Sequence, residues 1–259
     1  MKLLREWLAG GPLIADGAWG TELQPRGLEP GAAPDTWNLT HPGRVEAVAR
    51  AYAEAGSQVI LTNTFRANVI AMKGELDAIN RAGVAISKRA AAGRALVFAS
   101  IGPTGKSLMT GAIGAQQARA AFDAQAAALA AAGADALLVE TMSDIEEARL
   151  AVAAGKSTEL PVIVSFAFDS GKNKHRPMMG ASPEAESAAM VEAGADAVGA
   201  NRGVGVAVSY TQDVYKRQRL MCLSGRTQGP VRVRPPGLKR YLGCRLANPP
   251  AYRAGCLRE

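Results

Sequence analysis

Three stretches of the chain repeat one pattern: a helix-compatible run, then Ala-Gly, then a short apolar segment ending in polar residues. They are Ala55-Gly-Ser-Gln-Val-Ile-Leu-Thr-Asn-Thr64, Ala132-Gly-Ala-Asp-Ala-Leu-Leu-Val-Glu-Thr141 and Ala193-Gly-Ala-Asp-Ala-Val-Gly-Ala-Asn201. In each, glycine stands where a helix C-terminus takes a left-handed residue. The run after it is apolar without alternation, as in a strand covered on both faces of a parallel sheet. Three further strands fit the rhythm, at residues 13–15, 96–101 and 162–168. The segments between carry helical stripes, such as Val45, Val48 and Tyr52, or Phe122, Ala126 and Leu129. Ser143-Asp-Ile-Glu146 reads as a capping box that opens a helix toward Ala153.

Alternating strands and helices imply an α/β protein, either an open doubly wound sheet or a (β/α)8 barrel. No Gly-x-Gly-x-x-Gly follows the first strand, which weakens the dinucleotide-binding alternative. A complete barrel has eight units and about 250 residues. The pattern here predicts a (β/α)8 TIM barrel cut short after about six βα units, all within residues 1–206. Such an open barrel would leave two strand edges unpaired, so poor solubility is expected.

Composition changes at that point. Residues 1–206 carry 19 Lys and Arg against 21 Asp and Glu and no cysteine, whereas residues 207–259 carry 11 against two and all three cysteines, Cys222, Cys244 and Cys256. The net charge of +7 therefore describes neither part. We read residues 1–206 as the incomplete barrel and 207–259 as a basic, non-native-looking tail, mostly disordered in expectation. One allowed back-translation of residues 207–218 is nearly its own reverse complement, as in a sequencing adapter; the alternative is a basic native tail. The cysteine spacing matches no zinc motif. The tail's arginines lack the helical or aromatic-interleaved pattern of a nucleic-acid binder, so no nucleic-acid partner is expected. Charges at Lys2, Arg5 and Glu6 break the N-terminal apolar run, so neither a signal peptide nor a membrane span is expected there. A cytoplasmic location is the default expectation, and the residues favour no particular oligomer.

In both architectures ligands bind at the C-terminal ends of the strands. Those ends carry Asp16-Gly17, Thr62-Asn63-Thr64, Ser100 with Gly102-Pro103, Glu140-Thr141, Ser165 with Asp169, and Asn201-Arg202-Gly203. Asp16 and Glu140 would share one mouth, where paired carboxylates can hold an ammonium group, ligate a metal or act as acid and base. The blander alternatives are a turn at Asp16-Gly17, a helix cap at Glu140 and a loop-backbone partner at Asn63.

Six ordered motifs resemble the zinc-dependent homocysteine S-methyltransferases, the homocysteine-binding domain of betaine–homocysteine methyltransferase and cobalamin-dependent methionine synthase. They are Asp16-Gly-Ala-Trp-Gly-Thr21, His41-Pro42, Ala55 to Phe65, Ser100-Ile-Gly-Pro-Thr-Gly105, Val139-Glu-Thr-Met142 and Gly199-Ala-Asn-Arg-Gly203. The resemblance also implies the barrel. It implies that Asp16 and Glu140 hold the amino group of homocysteine, with Gly17 and the turn from Ser100 to Pro103 shaping the pocket. Asn63 and Asn201 complete the candidate substrate-binding set, with no catalytic residue assigned. A zinc ion on three cysteine thiolates would bind the sulfur and lower its pKa, and the thiolate would take the methyl group. The resemblance admits betaine, methyltetrahydrofolate through cobalamin, S-methylmethionine and adenosylmethionine as donors.

The chain departs from that pattern at the metal. Arg202 stands where the first zinc cysteine belongs, and an arginine cannot ligate zinc. The family's adjacent cysteine pair is missing as well, so this chain is expected to bind no zinc and to be inactive. A single base separates Cys and Arg codons, so position 202 reads either as a changed base or as a metal-free relative. The alternative function is then a metal-free amino-acid-binding module. Arg66 replaces the usual glycine of Thr-Phe-Gly. His41 is read as structural and His175 as part of a charged hairpin-like loop, neither as catalytic.

Overall fold

The structure, a computed structural model, describes residues 2–168, 170 and 177–201. Asp169, His175, Arg202, Gly203 and the tail at 207–259 lie outside the described residues. Five strands, β1 (Val59–Leu61), β2 (Leu96–Ile101), β3 (Ala136–Met142), β4 (Val162–Ala167) and β5 (Ala197–Asn201), form one parallel sheet. Their spatial order is their chain order. A doubly wound sheet reverses order at a switch point, whereas barrel staves follow one another round, so this sheet has barrel topology.

The eight helices among the described residues are α1 (Lys2–Trp7), α2 (Trp19–Leu23), α3 (Trp37–Thr40), α4 (Pro42–Glu54), α5 (Leu76–Ala91), α6 (Ala115–Ala131), α7 (Ile145–Lys156) and α8 (Pro183–Glu192). Helices α4 to α8 pack each against the next around the outside. No helix among the described residues is long and apolar enough to cross a membrane.

The Ala-Gly units close as expected. Gly56, Gly133 and Gly194 have φ of 97°, 88° and 90°, the left-handed geometry that spares glycine a Cβ clash. In each case the next N–H reaches back five residues: Ser57 to Tyr52, Ala134 to Leu129 and Ala195 to Met190, at 3.0–3.3 Å. The residue after that enters the sheet and sets its register. The Asp135 carboxylate accepts the Val97 N–H at 2.7 Å, and the Asp196 carboxylate accepts the Val162 N–H at 2.9 Å. Lys88 and Lys156, from the ends of α5 and α7, neutralise these two acids at 2.7 and 2.8 Å.

Two expected elements differ. Residues 13–15 form no full strand: Ala15 makes one parallel bridge to Val59. Val59 N–H bonds the Ile14 carbonyl at 3.1 Å, but the next ladder donor, Leu61 N–H, goes to the Asp16 carboxylate at 2.8 Å instead of continuing the backbone pairing. The Asp16 side chain thus ends the strand. The cap of α7 is Asp144, whose carboxylate accepts the Glu146 N–H at 2.8 Å, in place of the expected Ser143. Asp144 is the residue adjoining the helix, and its short carboxylate reaches that orphan donor directly.

Alternate strand residues separate two cores. Outward residues Ala99, Ile101, Leu137, Val139, Val162, Val164 and Phe166 pack with α6 and α7. Inward residues Val59, Leu61, Leu96, Phe98, Ala136, Leu138 and Ile163 form a separate cluster. Trp7 of α1 joins it, with its ring 5.7 Å from that of Phe98. The inward side is therefore filled from the N-terminal end, and a site can open only at the other end.

Candidate functional site

Continuing the inward parity past the apolar layers brings in polar residues: Ser100 after Phe98, Glu140 after Leu138, Ser165 after Ile163, and Asn201 closing β5. Asp16 joins them from beside β1. These residues face the mouth at the C-terminal ends of the strands, where (β/α) barrels carry their chemistry.

Asp16 Oδ2 accepts both the Trp19 indole N–H at 2.9 Å and the Leu61 N–H at 2.8 Å. Asp16 Oδ1 is buried with no hydrogen-bond partner among the described residues. Burial pushes this carboxyl up to about 7, against the lowering pull of the Leu61 and Trp19 donors, and the charge of Glu140 adds to the rise. Burial likewise raises Glu140, whose Oε1 accepts the Ser100 hydroxyl. Two half-buried acids, the charge of one raising the other and Asp16 keeping an acceptor unused among the described residues, form an electronegative cradle suited to a cation.

Hydroxyls lock the Ser100 side of this cradle. Thr62 Oγ1 accepts the Ser100 N–H at 3.0 Å, while Thr64 Oγ1 donates to the Ser100 carbonyl at 2.7 Å. Because the Thr64 proton is thereby used, Thr62 is the donor in the 2.6 Å contact between the two threonines. The other side is held by Asn201. Its Oδ1 accepts from Thr141 N–H at 3.2 Å and Ser165 Oγ at 2.9 Å, and its Nδ2 donates to Thr141 Oγ1 at 2.9 Å. Thr141 has φ 63°, within a register shift of the β3–β4 ladder. A β-branched residue in that region is strained by about 1–3 kcal/mol, and bulges of this kind re-aim neighbouring side chains.

The remaining candidates make other contacts. Asn63 spends its amide N–H groups on the Pro34 carbonyl at 2.8 Å and Asn38 Oδ1 at 3.0 Å, so it anchors the N-terminal loops. Gly17 makes room for Tyr52, whose hydroxyl would lie 2.9 Å from a Cβ there. Arg66, an exposed side chain, takes the place of glycine without a left-handed backbone, and its N–H donates to Asp35 Oδ1 at 2.9 Å. His41 stacks on Trp37 with centroids 4.5 Å apart, ahead of α4.

Buried amides, not singled out by the sequence reading, brace the loop after β1. Asn38 donates to the Asn63 carbonyl, Gln125 to the Thr64 carbonyl and Asn80 to the Ala67 carbonyl, each at 2.8 Å. Gly102 seats the same loop: its N–H donates to the Phe65 carbonyl at 2.9 Å, and a Cβ would lie 2.5 Å from that oxygen. Backbone cannot yield cheaply there, so Gly102→Ala is expected to destabilise the fold by about 1–3 kcal/mol. A lower urea midpoint at unchanged m-value is the expected readout, and an unaltered midpoint contradicts it.

The zinc implied by the resemblance can be tested against these residues. Among the described residues, no group of three or more His, Cys, Asp or Glu comes together to hold a metal ion. The mouth presents carboxylate, hydroxyl and amide oxygens, not the thiolates of such a zinc site. The described residues do not fit the metal.

The family model for homocysteine S-methyltransferase matches residues 13–207, and the chain belongs to that family. It is 29% identical over 273 residues to methionine synthase from Mycobacterium leprae, covering 95% of this chain and 22% of that protein. It is 28% identical over 204 residues to betaine–homocysteine S-methyltransferase 1 from Danio rerio, covering 74% and 49%. The chain thus spans about a fifth and about half of these relatives' lengths. The fold is similar to that of the metallated homocysteine methyltransferase MmuM from Escherichia coli, with TM-score 0.64, 23% identity, and coverage of 76% of this chain and 77% of that one.

Proposed function

We propose that the mouth is an amino-acid cradle for homocysteine, in which Asp16 and Glu140 hold the substrate ammonium group. The observation that carries this reading is the Asp16 Oδ1, buried and unpartnered among the described residues, near enough to Glu140 to feel its charge. Ser100 orients Glu140, the Gly17 backbone and the turn after Ser100 shape the pocket, and Asn63 and Asn201 act from behind it. The family reaction transfers a methyl group to the homocysteine sulfur from a separate donor. With Arg202 at the position of a zinc thiolate, this chain supplies the cradle and binds homocysteine without turnover. That departure equally favours the second reading, a metal-free amino-acid-binding module. Residues 1–206 carry the binding, and 207–259 add nothing to it.

Calorimetry with homocysteine, with and without zinc, tests this alongside an assay for methionine formation. We expect equal affinity in both conditions and no methionine. Stoichiometric zinc together with methionine formation overturns the metal-free reading, and no homocysteine binding overturns the cradle.

The Asp16 carboxyl also sets a pH dependence. Below about 7 it is protonated in the free protein and must release that proton to hold an ammonium group. Homocysteine keeps its amino proton throughout this range, so affinity should fall at least about tenfold per pH unit below 7, the raised Glu140 steepening the fall. Calorimetry between pH 5.5 and 8 reads the slope; a flat profile contradicts the role of Asp16.

A further inference from the structure

We propose that Asn201 is a positioning residue: it clamps the left-handed backbone of Thr141 and so aims Glu140 into the mouth. This rests on the reading of Glu140 as an ammonium acceptor. Thr141 immediately follows Glu140 and is the one described residue between Glu140 and Met142, where the β3–β4 register shifts. Its φ of 63° is unusual for a β-branched residue. Both of its free polar groups, the N–H that the shifted ladder releases and the Oγ1, are taken by the one Asn201 amide. Thr141 N–H can only donate, which fixes Oδ1 toward it and Nδ2 toward Oγ1. Ser165 Oγ on β4 holds Oδ1 from the other side. With Oδ1 accepting two bonds and Nδ2 donating one, the amide bridges the ends of β3, β4 and β5. Loss of the clamp lets Thr141 relax toward ordinary strand geometry, and the Glu140 side chain turns with it.

The test is a double-mutant cycle read as homocysteine affinity by calorimetry on the full chain. Asn201→Ala should weaken binding about tenfold. Thr141→Gly should stay within about twofold of the parent, because glycine takes the left-handed conformation without strain. In the Asn201→Ala, Thr141→Gly double variant, affinity should return to within about threefold of the parent. An Asn201 that touched the substrate, or one that merely stabilised the fold, would give the same loss in either background. That outcome, or an Asn201→Ala variant of unchanged affinity, overturns the inference. Should Asn201→Ala not fold, Ser165→Ala removes one of the three bonds and should show a smaller loss with the same rescue; no rescue there overturns it equally. Glu140→Gln separates the two levels: if it leaves affinity unchanged, the cradle reading itself fails, whereas a weakened Glu140→Gln with no rescue sinks only the clamp.

Discussion

Asp16→Asn and Glu140→Gln should each weaken homocysteine binding by about 30- to 1,000-fold, or about 2–4 kcal/mol. Both substitutions preserve volume, and the substituted amide at position 16 can still accept from Trp19 and Leu61 through its oxygen. What changes is the vacant Oδ1 position, which becomes an N–H donor facing a cation. The effect is large because the Asp16 Oδ1 atom is buried and both acids are only partly open to water, so little water can replace the lost partner and a bound ammonium would be left poorly compensated. The losses should combine less than additively, since the two acids share one charge and already influence each other. Calorimetry at pH 8 with homocysteine, set beside 4-mercaptobutyrate, is the check. The second ligand keeps the thiol and carboxylate but lacks the amino group, so the variants should bind it as the parent does. An equal loss for both ligands would mean that the acids maintain the pocket's shape and do not hold an ammonium group.

Asp16 and Glu140 were legible in the sequence because they follow apolar runs that local rules define. Ala-Gly marks where a helix stops, the run after it marks a strand, and the last polar residue of that strand lies at the mouth. The same rules fail where a side chain substitutes for backbone. Residues 13–15 look like a strand, but the Asp16 carboxylate captures the donor that would have extended the ladder. At Asn63 local rules place the residue at a strand end but do not name its partners, Asn38 and Pro34, 25 and 29 residues earlier in the chain. The left-handed Thr141 has no local signature, because threonine disfavours that geometry and the Asn201 that stabilises it lies 60 residues away. The amide bracing did leave a trace: Gln125 is the lone polar residue on the buried face of α6, and Asn80 shares the buried face of α5 with one other polar residue, Ser87; such residues are buried only when bonded.

Glu186 is a different case, because its carboxylate has no such partner among the described residues. On sequence it looks like one of the solvated acids of α8, beside Glu184 and Glu192. The fold places it 1% exposed, with neither oxygen hydrogen-bonded among the described residues, and burial pushes its carboxyl up to about 8. The unfolded chain releases that proton near 4.5, so between 4.5 and 8 folding takes up a proton and stability falls as pH rises. Glu186→Gln, neutral at every pH, should therefore match the parent near pH 4.5 and exceed it progressively toward pH 8. Glu186→Leu also removes the unpaired polar atoms from the interior and should gain about 1–3 kcal/mol at pH 8. At about 2–4 °C per kcal/mol for a domain of this size, the shift is readable in thermal melts at pH 5 and pH 8. The raised Asp16 carboxyl imposes its own slope of the same sign, but it is common to parent and variants and cancels in the difference. A leucine variant that melts lower than the parent at pH 8 would show that Glu186 has a partner that stabilises its charge, and a gain that is the same at both pH values would show that folding does not raise its carboxyl.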